Sequence, residues 1–311
     1  MNILILGGTV FVGRGVAEAA IARGHRVVLF HRGSKGTGIV LGAEEILGDR
    51  DGGLDALRGE AWDAVVDACG YVPRLVGDSA RALSGVGRYL FVSTVSVYEE
   101  DEAGGLREWK VETPVGTEAI TGETYGPLKV ECERAVRAIF GDRATIVRPG
   151  LVYGPYDPTN RFPYWVDRFL RGGEILVPDL ADAPLQQIDA RDLGGFIVRL
   201  LEDGRNGTFD AVGEDSTFGD MIAACHALNL GAQPVYASVQ ALEEASVALP
   251  LASPGYTALM RIDPRAALDA GLERRPLRST AEDTAAWVRE SEPIKGLSPE
   301  RETEVLRELR P

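Results

Sequence analysis

Along the first half of the chain, short apolar runs of strand length alternate with stretches in which apolar residues recur at helical spacing. The runs Ile3–Leu6, Arg26–Phe30, Glu45–Leu47, Ala64–Asp67, Tyr89–Val92 and Ala144–Val147 predict six strands. Between them, Val12–Arg23, a segment near 75–83 and a long one from about Glu123 to Phe140 predict helices. The apolar runs lack polar alternation, so both faces of each strand are expected to be buried. With helices as crossovers, that means a parallel sheet. The predicted fold class is α/β, a doubly wound parallel (Rossmann) sheet.

Beyond Pro149 the rhythm loosens. A Pro/Gly/Tyr-rich loop at 149–158, helices at Tyr164–Arg171 and Asp192–Leu201, and a strand at Leu185–Ile188 are followed by shorter helices with few strands over 216–289. Ser298-Pro299-Glu300 opens a charged terminal helix with a good N-cap. Residues 1–150, with 185–212 returning to them, form the expected dinucleotide-binding domain. Residues 151–184 and 213–311 form a second, smaller, mostly helical lobe on the substrate side, whose plainer reading is a packing cap.

Composition narrows the partners. The 311 residues are 45% hydrophobic and 26% charged, as in an ordinary globular protein. A net charge of −14 repels polyanions, so a small-molecule substrate is expected and neither nucleic acid nor a membrane surface is. Cys69, Cys132 and Cys225 are odd in number, far apart and without metal-ligand spacing, which fits a reducing cytoplasm and buried small side chains. There is no basic leader and no apolar run long enough to span a bilayer, so the expected location is cytoplasmic.

Candidate chemistry begins where the first strand turns into the first helix. Gly7, Gly8 and Gly13 there let backbone amides approach a pyrophosphate that the helix N-terminus also attracts, with Thr9, Phe11 and Val12 on the same turn. An acidic residue is expected about 20 residues further on to accept from a ribose 2′-hydroxyl. His31-Arg32 stand there instead, and a guanidinium suited to bidentate phosphate contact favours NADP, with NAD as the alternative. The plainer reading of Arg32 is a solvated side chain. Asp49, after the third strand, is placed to accept from an adenine amino group or merely to make a turn.

Tyr125 and Lys129 are four residues apart in the predicted long helix and so share a face. A nearby ammonium favours phenolate and draws the phenol toward the working pH range, where it can exchange a proton with a hydroxyl or carbonyl. Chance alone would give about 0.1 such pairs in a chain of this composition, and the plainer reading is an amphipathic helix with a solvated lysine. Ser93-Thr94-Val95-Ser96, at the C-terminal end of a predicted parallel strand, adds hydroxyls where open α/β sheets place their ligands.

These segments resemble the short-chain dehydrogenase/reductase superfamily, specifically its extended, epimerase/dehydratase-like branch. Phe91–Tyr98 is similar to that branch's active-site strand, Tyr125-Gly126-Pro127-Leu128-Lys129 to its catalytic helix motif, Arg148–Pro155 to its following strand and substrate loop, and Gln187–Leu193 to a later segment. The resemblance implies Tyr125 as acid/base, Lys129 on the nicotinamide ribose and lowering the Tyr pKa, and Thr94 bonded to the reacting oxygen. It also implies Pro149 and Gly150 near the nicotinamide, 153–161 on the substrate side, and leaves a homodimer open. Two departures matter. Val10 replaces the middle glycine of the extended fingerprint, as in an atypical subgroup that includes chloroplast stem-loop RNA-binding proteins. Val95 and Ser96 stand where sugar-nucleotide 4,6-dehydratases carry an Asp-Glu pair, which disfavours dehydration.

The expected activity is hydride transfer between a nicotinamide and a carbonyl or secondary alcohol of a polar small molecule. The alternatives are a sugar-nucleotide-type epimerase that retains its NAD and a non-catalytic RNA-binding protein on the same fold. His25 and His226 belong to no metal cluster. Phe162, Tyr164 and Trp165 read equally as a pocket wall or as packing, and Glu99–Glu102 reads as a solvated loop.

Overall fold

A computed structural model describes residues 1–100, 105–109, 115–251 and 258–309. Its elements run β1 (Asn2–Leu6), α1 (Phe11–Ala22), β2 (Arg26–His31), β3 (Glu44–Leu47), β4 (Ala64–Asp67), α2 (Pro73–Ala82), β5 (Arg88–Val92), β6 (Tyr98–Glu100) and β7 (Leu106–Glu108). They continue with α3 (Tyr125–Phe140), β8 (Ala144–Pro149), β9 (Leu151–Tyr153), α4 (Arg161–Arg171), β10 (Glu174–Pro178), β11 (Gln187–Asp189), α5 (Ala190–Asp203) and β12 (Gly207–Ala211). The remainder is α6 (Phe218–His226), β13 (Gln233–Ala237), α7 (Val239–Glu244), α8 (Arg265–Asp269), α9 (Leu277–Val288) and α10 (Pro299–Glu308).

The chain divides into two compact units. The first comprises Met1–Val152, Ala190–Gly213 and Ile262–Glu273. It holds a seven-stranded sheet in the order β12-β8-β5-β4-β1-β2-β3, every pairing parallel. Strand order reverses on either side of β1 and β4, the doubly wound arrangement that the apolar runs predict. Ile3, Leu4, Ile5 and Leu6 have no exposed surface, and burying each such side chain contributes about 1.5–3 kcal/mol. The sheet has one strand more than predicted. β12, Gly-Thr-Phe-Asp-Ala, is an edge strand with polar residues on its open face and so carries no apolar run. Glu99 and Glu100 belong to β6, which pairs antiparallel with β7, rather than to a loop, while Asp101 and Glu102 lie outside the described residues.

The second unit comprises Tyr153–Asp189, Glu214–Arg261 and Arg274–Pro311. Phe162, Tyr164 and Trp165 are fully buried in its core, and Trp165 meets Phe218 edge-on at 5.6 Å. Those three aromatics therefore pack the unit's interior and line no open wall. Arg168 on α4 donates to Glu302 on α10 at 2.6 Å, and the other Glu302 oxygen accepts from the Leu176 backbone at 3.0 Å, tying both helices to β10. β10 pairs in parallel with β13. No helix among the described residues is long and apolar enough to cross a membrane.

Candidate active site

Because all seven strands of the first unit run the same way, their C-terminal ends share one edge. The register pairs Leu6 with both Phe30 and Asp67, Asp67 with Phe91, and Val92 with Val147. Gly7, His31, the 68–70 segment, Ser93, Thr94 and Pro149 therefore all emerge on that edge, where open parallel sheets bind ligands.

At the β1–α1 turn, Gly7 and Gly8 hold φ of +97° and +94°, and a Cβ on Gly13 would sit 2.7 Å from the Gly8 nitrogen. Those positions require glycine. Phe11, the first residue of α1, holds a left-handed φ of +43°, a strain of roughly 1–2 kcal/mol for a residue with a Cβ. Val10 is extended, with an exposed side chain that does not fill the turn. No side chain caps α1, so its first amides remain as donors for an anion. This glycine cradle over an uncapped helix fits a dinucleotide pyrophosphate.

On the β2 side, His31 is buried and its Nδ1 accepts from the Gly33 amide at 3.1 Å, which leaves the proton on Nε2, 3.6 Å from Glu45. The histidine shapes the turn. Arg32 beside it is exposed, and no hydrogen bond or ion pair among the described residues holds it. Lys35, also exposed, adds a second cation that the sequence reading passed over. Asp49 is exposed and its carboxylate accepts from the Asp51 amide at 3.0 Å, the turn geometry foreseen as its plainer role.

At the β5 end, Tyr125 is the first residue of α3. The helix starts two residues later than predicted because the Thr121 and Thr124 hydroxyls build a turn ahead of it, Thr124 donating to Ala119 O at 2.7 Å. Gly126 lets α3 come close, since a Cβ there would lie 2.1 Å from Ser96 O. Tyr125 is half-buried and Lys129 fully so. The Lys129 ammonium donates to Gly70 O at 2.8 Å and Val92 O at 2.7 Å and lies 4.2 Å from the Phe91 ring centre. Burial pushes it down to about 8, against the opposing pull of Cys132, Asp67, Glu133 and Cys69. Thr94 Oγ1 accepts from Ser96 N at 3.1 Å and contacts Ser96 Oγ at 3.2 Å, capping the short 3₁₀ turn that follows β5.

Two buried ionic networks support this end, and the sequence reading named neither. Glu133 takes both arms of Arg148, at 2.9 and 2.6 Å, and accepts from Ser93 Oγ at 2.6 Å. Arg148 also donates to the Tyr98 hydroxyl at 2.8 Å, which in turn donates to Asp210 at 3.0 Å. Asp67 pairs with Arg50 at 2.8 and 3.0 Å, accepts from Tyr89 at 3.0 Å, and Arg50 reaches Ser79 at 2.9 Å. An arginine inside the strand Ala144–Pro149 and a glutamate four residues past Lys129 were the available signals. Burial pushes the Cys69 thiol up to about 11 and the Cys132 thiol up to about 12, which keeps both as neutral packing groups.

Comparison with known proteins bears on these same segments. A model of the NAD-dependent epimerase/dehydratase family matches residues 65–212, the span holding Thr94, Tyr125 and Lys129. The Arabidopsis thaliana chloroplast stem-loop binding protein of 41 kDa b is 26% identical over 245 residues, 72% of this chain and 62% of that protein. The 2′-dehydrokanamycin reductase of Streptomyces kanamyceticus is 29% identical over 218 residues, 66% of this chain and 59% of that protein. The matches thus span about three fifths of the length of these relatives. Among solved structures, the Bordetella bronchiseptica enzyme WbmH in complex with NAD+ superposes at a TM-score of 0.69 and 19% identity, over 93% of this chain and 98% of that one, a likeness of fold.

Proposed function

Since the chain belongs to the NAD-dependent epimerase/dehydratase family, the extended branch of the short-chain dehydrogenase/reductase enzymes, we propose that it is a nicotinamide-dependent reductase acting on a carbonyl of a polar, sugar-like small molecule. The observation that carries the reading is the Tyr125–Lys129 pair on one turn of α3, with the buried ammonium pinned to carbonyls at the ends of β4 and β5.

When bound, the nicotinamide supplies or accepts the hydride. The chain's residues do the rest. Gly7, Gly8, Thr9, Phe11, Val12 and Gly13 bind the pyrophosphate at the α1 N-terminus. Tyr125 gives the carbonyl oxygen its proton in reduction, or takes it from the alcohol in the reverse direction. Lys129 holds charge beside that phenol and has one N–H beyond the two bonded to carbonyls. Thr94 orients the oxygen that reacts, and Pro149 closes the floor beside β5. Val95 is buried and Ser96 is no acid, so the two positions after Thr94 supply neither the acid nor the base that water elimination needs.

Arg32, exposed and without a partner among the described residues, supports NADP as the cofactor, with Lys35 near enough in sequence to share a phosphate. Similarity to a 2′-dehydrokanamycin reductase supports reduction over epimerisation. The test is net cofactor turnover at 340 nm with keto sugars and keto amino sugars. A reductase consumes NADPH stoichiometrically, and Tyr125→Phe lowers kcat about 10²- to 10⁴-fold while leaving NADPH binding intact. Sugar conversion without net absorbance change overturns the reductase reading in favour of an epimerase that keeps its cofactor.

A second reading draws on the chloroplast stem-loop binding protein, an RNA-binding role on the same fold. The acidic balance opposes it. Tight, steeply salt-dependent RNA binding in a shift assay would support it.

A further inference from the structure

Tyr71 lies between β4 and α2, directly after Gly70, and none of the roles above uses it. The residue is 44% exposed. The ring centre is 6.3 Å from that of Tyr125, with the planes tilted by 35°, and the Lys129 ammonium is 5.3 Å away. Four groups thus surround that ammonium: Gly70 O, Val92 O, the Phe91 ring and the Tyr71 ring. Gly70, Val92 and Phe91 are buried, so Tyr71 is the member of the set that faces solvent.

We propose that Tyr71 is a positioning residue, its ring covering the Lys129 ammonium, excluding water from it and thereby setting its electrostatic hold on the Tyr125 phenol. This rests on the reading of Tyr125 as acid/base. The physical reason is that a charge acts on its neighbour in inverse proportion to the local dielectric, so an apolar cover strengthens the influence of Lys129 whereas water screens it. An ammonium against an aromatic face is also attracted by the ring's negative centre. The ring supplies both effects, so the hydroxyl is dispensable.

The other titratable groups around Lys129 are Asp67 and Cys69 at the end of β4 and Cys132 and Glu133 on its own helix. Asp67 and Glu133 are tied to Arg50 and Arg148, and none of these contacts involves Tyr71. Removing the ring therefore leaves those charges in place and admits water to the ammonium and to the near face of Tyr125. Water then screens the ammonium, and Tyr125, less well supported, should ionise at higher pH.

The experiment compares wild type, Tyr71→Ala and Tyr71→Phe, each with and without Tyr125→Phe. Ultraviolet phenolate titration at 295 nm without cofactor isolates Tyr125 by difference, and kcat is followed against pH with NADPH and a keto sugar. Tyr71→Ala should move Tyr125 ionisation upward by about one pH unit and lower kcat about tenfold with KM nearly unchanged. Tyr71→Phe should restore both. An unmoved titration in Tyr71→Ala, or a Tyr71→Phe variant as impaired as Tyr71→Ala, overturns the proposal. If Tyr125→Phe alone remains active, the acid/base reading fails instead, while the titration still reports whether the ring governs the ammonium.

Discussion

Two ends of one sheet edge are built on opposite principles. At the β5 end four polar side chains are held: Lys129 by two carbonyls, Thr94 by its own cap, Ser93 by Glu133, and Glu133 by Arg148. At the β2 end His31 is fixed into its turn, while Arg32 and Lys35 stand in solvent. On the proposed function, the difference follows from what each end would be asked to do. A group that moves a proton must be placed to within a fraction of an ångström before the reaction begins, and buried hydrogen bonds achieve that. A group that recognises a phosphate at the cofactor's rim gains little from rigidity, because the ligand's own charge gathers the cations.

The contrast is broken most severely by disconnecting the network behind Thr94. Glu133→Gln or Arg148→Met leaves its partner charged and buried, and should cost about 3–5 kcal/mol in urea unfolding. Joint replacement by Leu and Met should recover much of that stability but not activity, because Ser93 and Tyr98 lose their partner. Single variants as stable as wild type would show that the pair is not the constraint described here.

A subtler change concerns Lys129. Its pKa of about 8 in the fold lies below the ordinary 10.5, so the unfolded chain binds more protons between those values. The cost of burying the charge is full below about pH 8 and is relieved as pH rises toward 10.5. Stability of the wild type relative to Lys129→Met should therefore rise across that window by about 3 kcal/mol at most. A flat difference would place the lysine in water. Activity should run the other way, falling above about pH 8 as the ammonium that supports Tyr125 is lost.

The smallest structural effect with a clear functional one is expected at the open end. Arg32→Asp should leave the unfolding midpoint within about 0.5 kcal/mol of wild type. NADPH should bind roughly 10- to 100-fold more weakly while NADH is held or improved, a loss of the size a charge-assisted phosphate contact represents. Unchanged preference in paired titrations removes Arg32 from cofactor selection.

Why some of this was readable from the chain and some was not has a physical basis. Strands buried on both faces must be continuously apolar, so β1, β2, β4, β5 and β8 announce themselves. β12 lies at the edge and is half polar, and β10 ends on Pro178, which interrupts the pattern. Tyr125 and Lys129 were legible because four residues make one helical turn, a local relation. Arg50–Asp67, Glu133–Arg148 and Tyr71–Lys129 join separate elements and exist only once the sheet has formed. Nothing in the spacing of those pairs singles them out. Phe162, Tyr164 and Trp165 illustrate the converse, an aromatic cluster whose pattern alone did not distinguish core from pocket until burial decided it.

The central claim is that the phenol of Tyr125 faces the reactive carbon of a nicotinamide bound along this edge. A crystal structure with NADP(H) tests it most directly. The account predicts the pyrophosphate over Gly7 and Gly8, the 2′-phosphate at Arg32, and the nicotinamide with its ribose at Lys129 and its reactive carbon toward Tyr125. A nicotinamide lying away from Tyr125, or a nucleotide bound elsewhere on the chain, would contradict it.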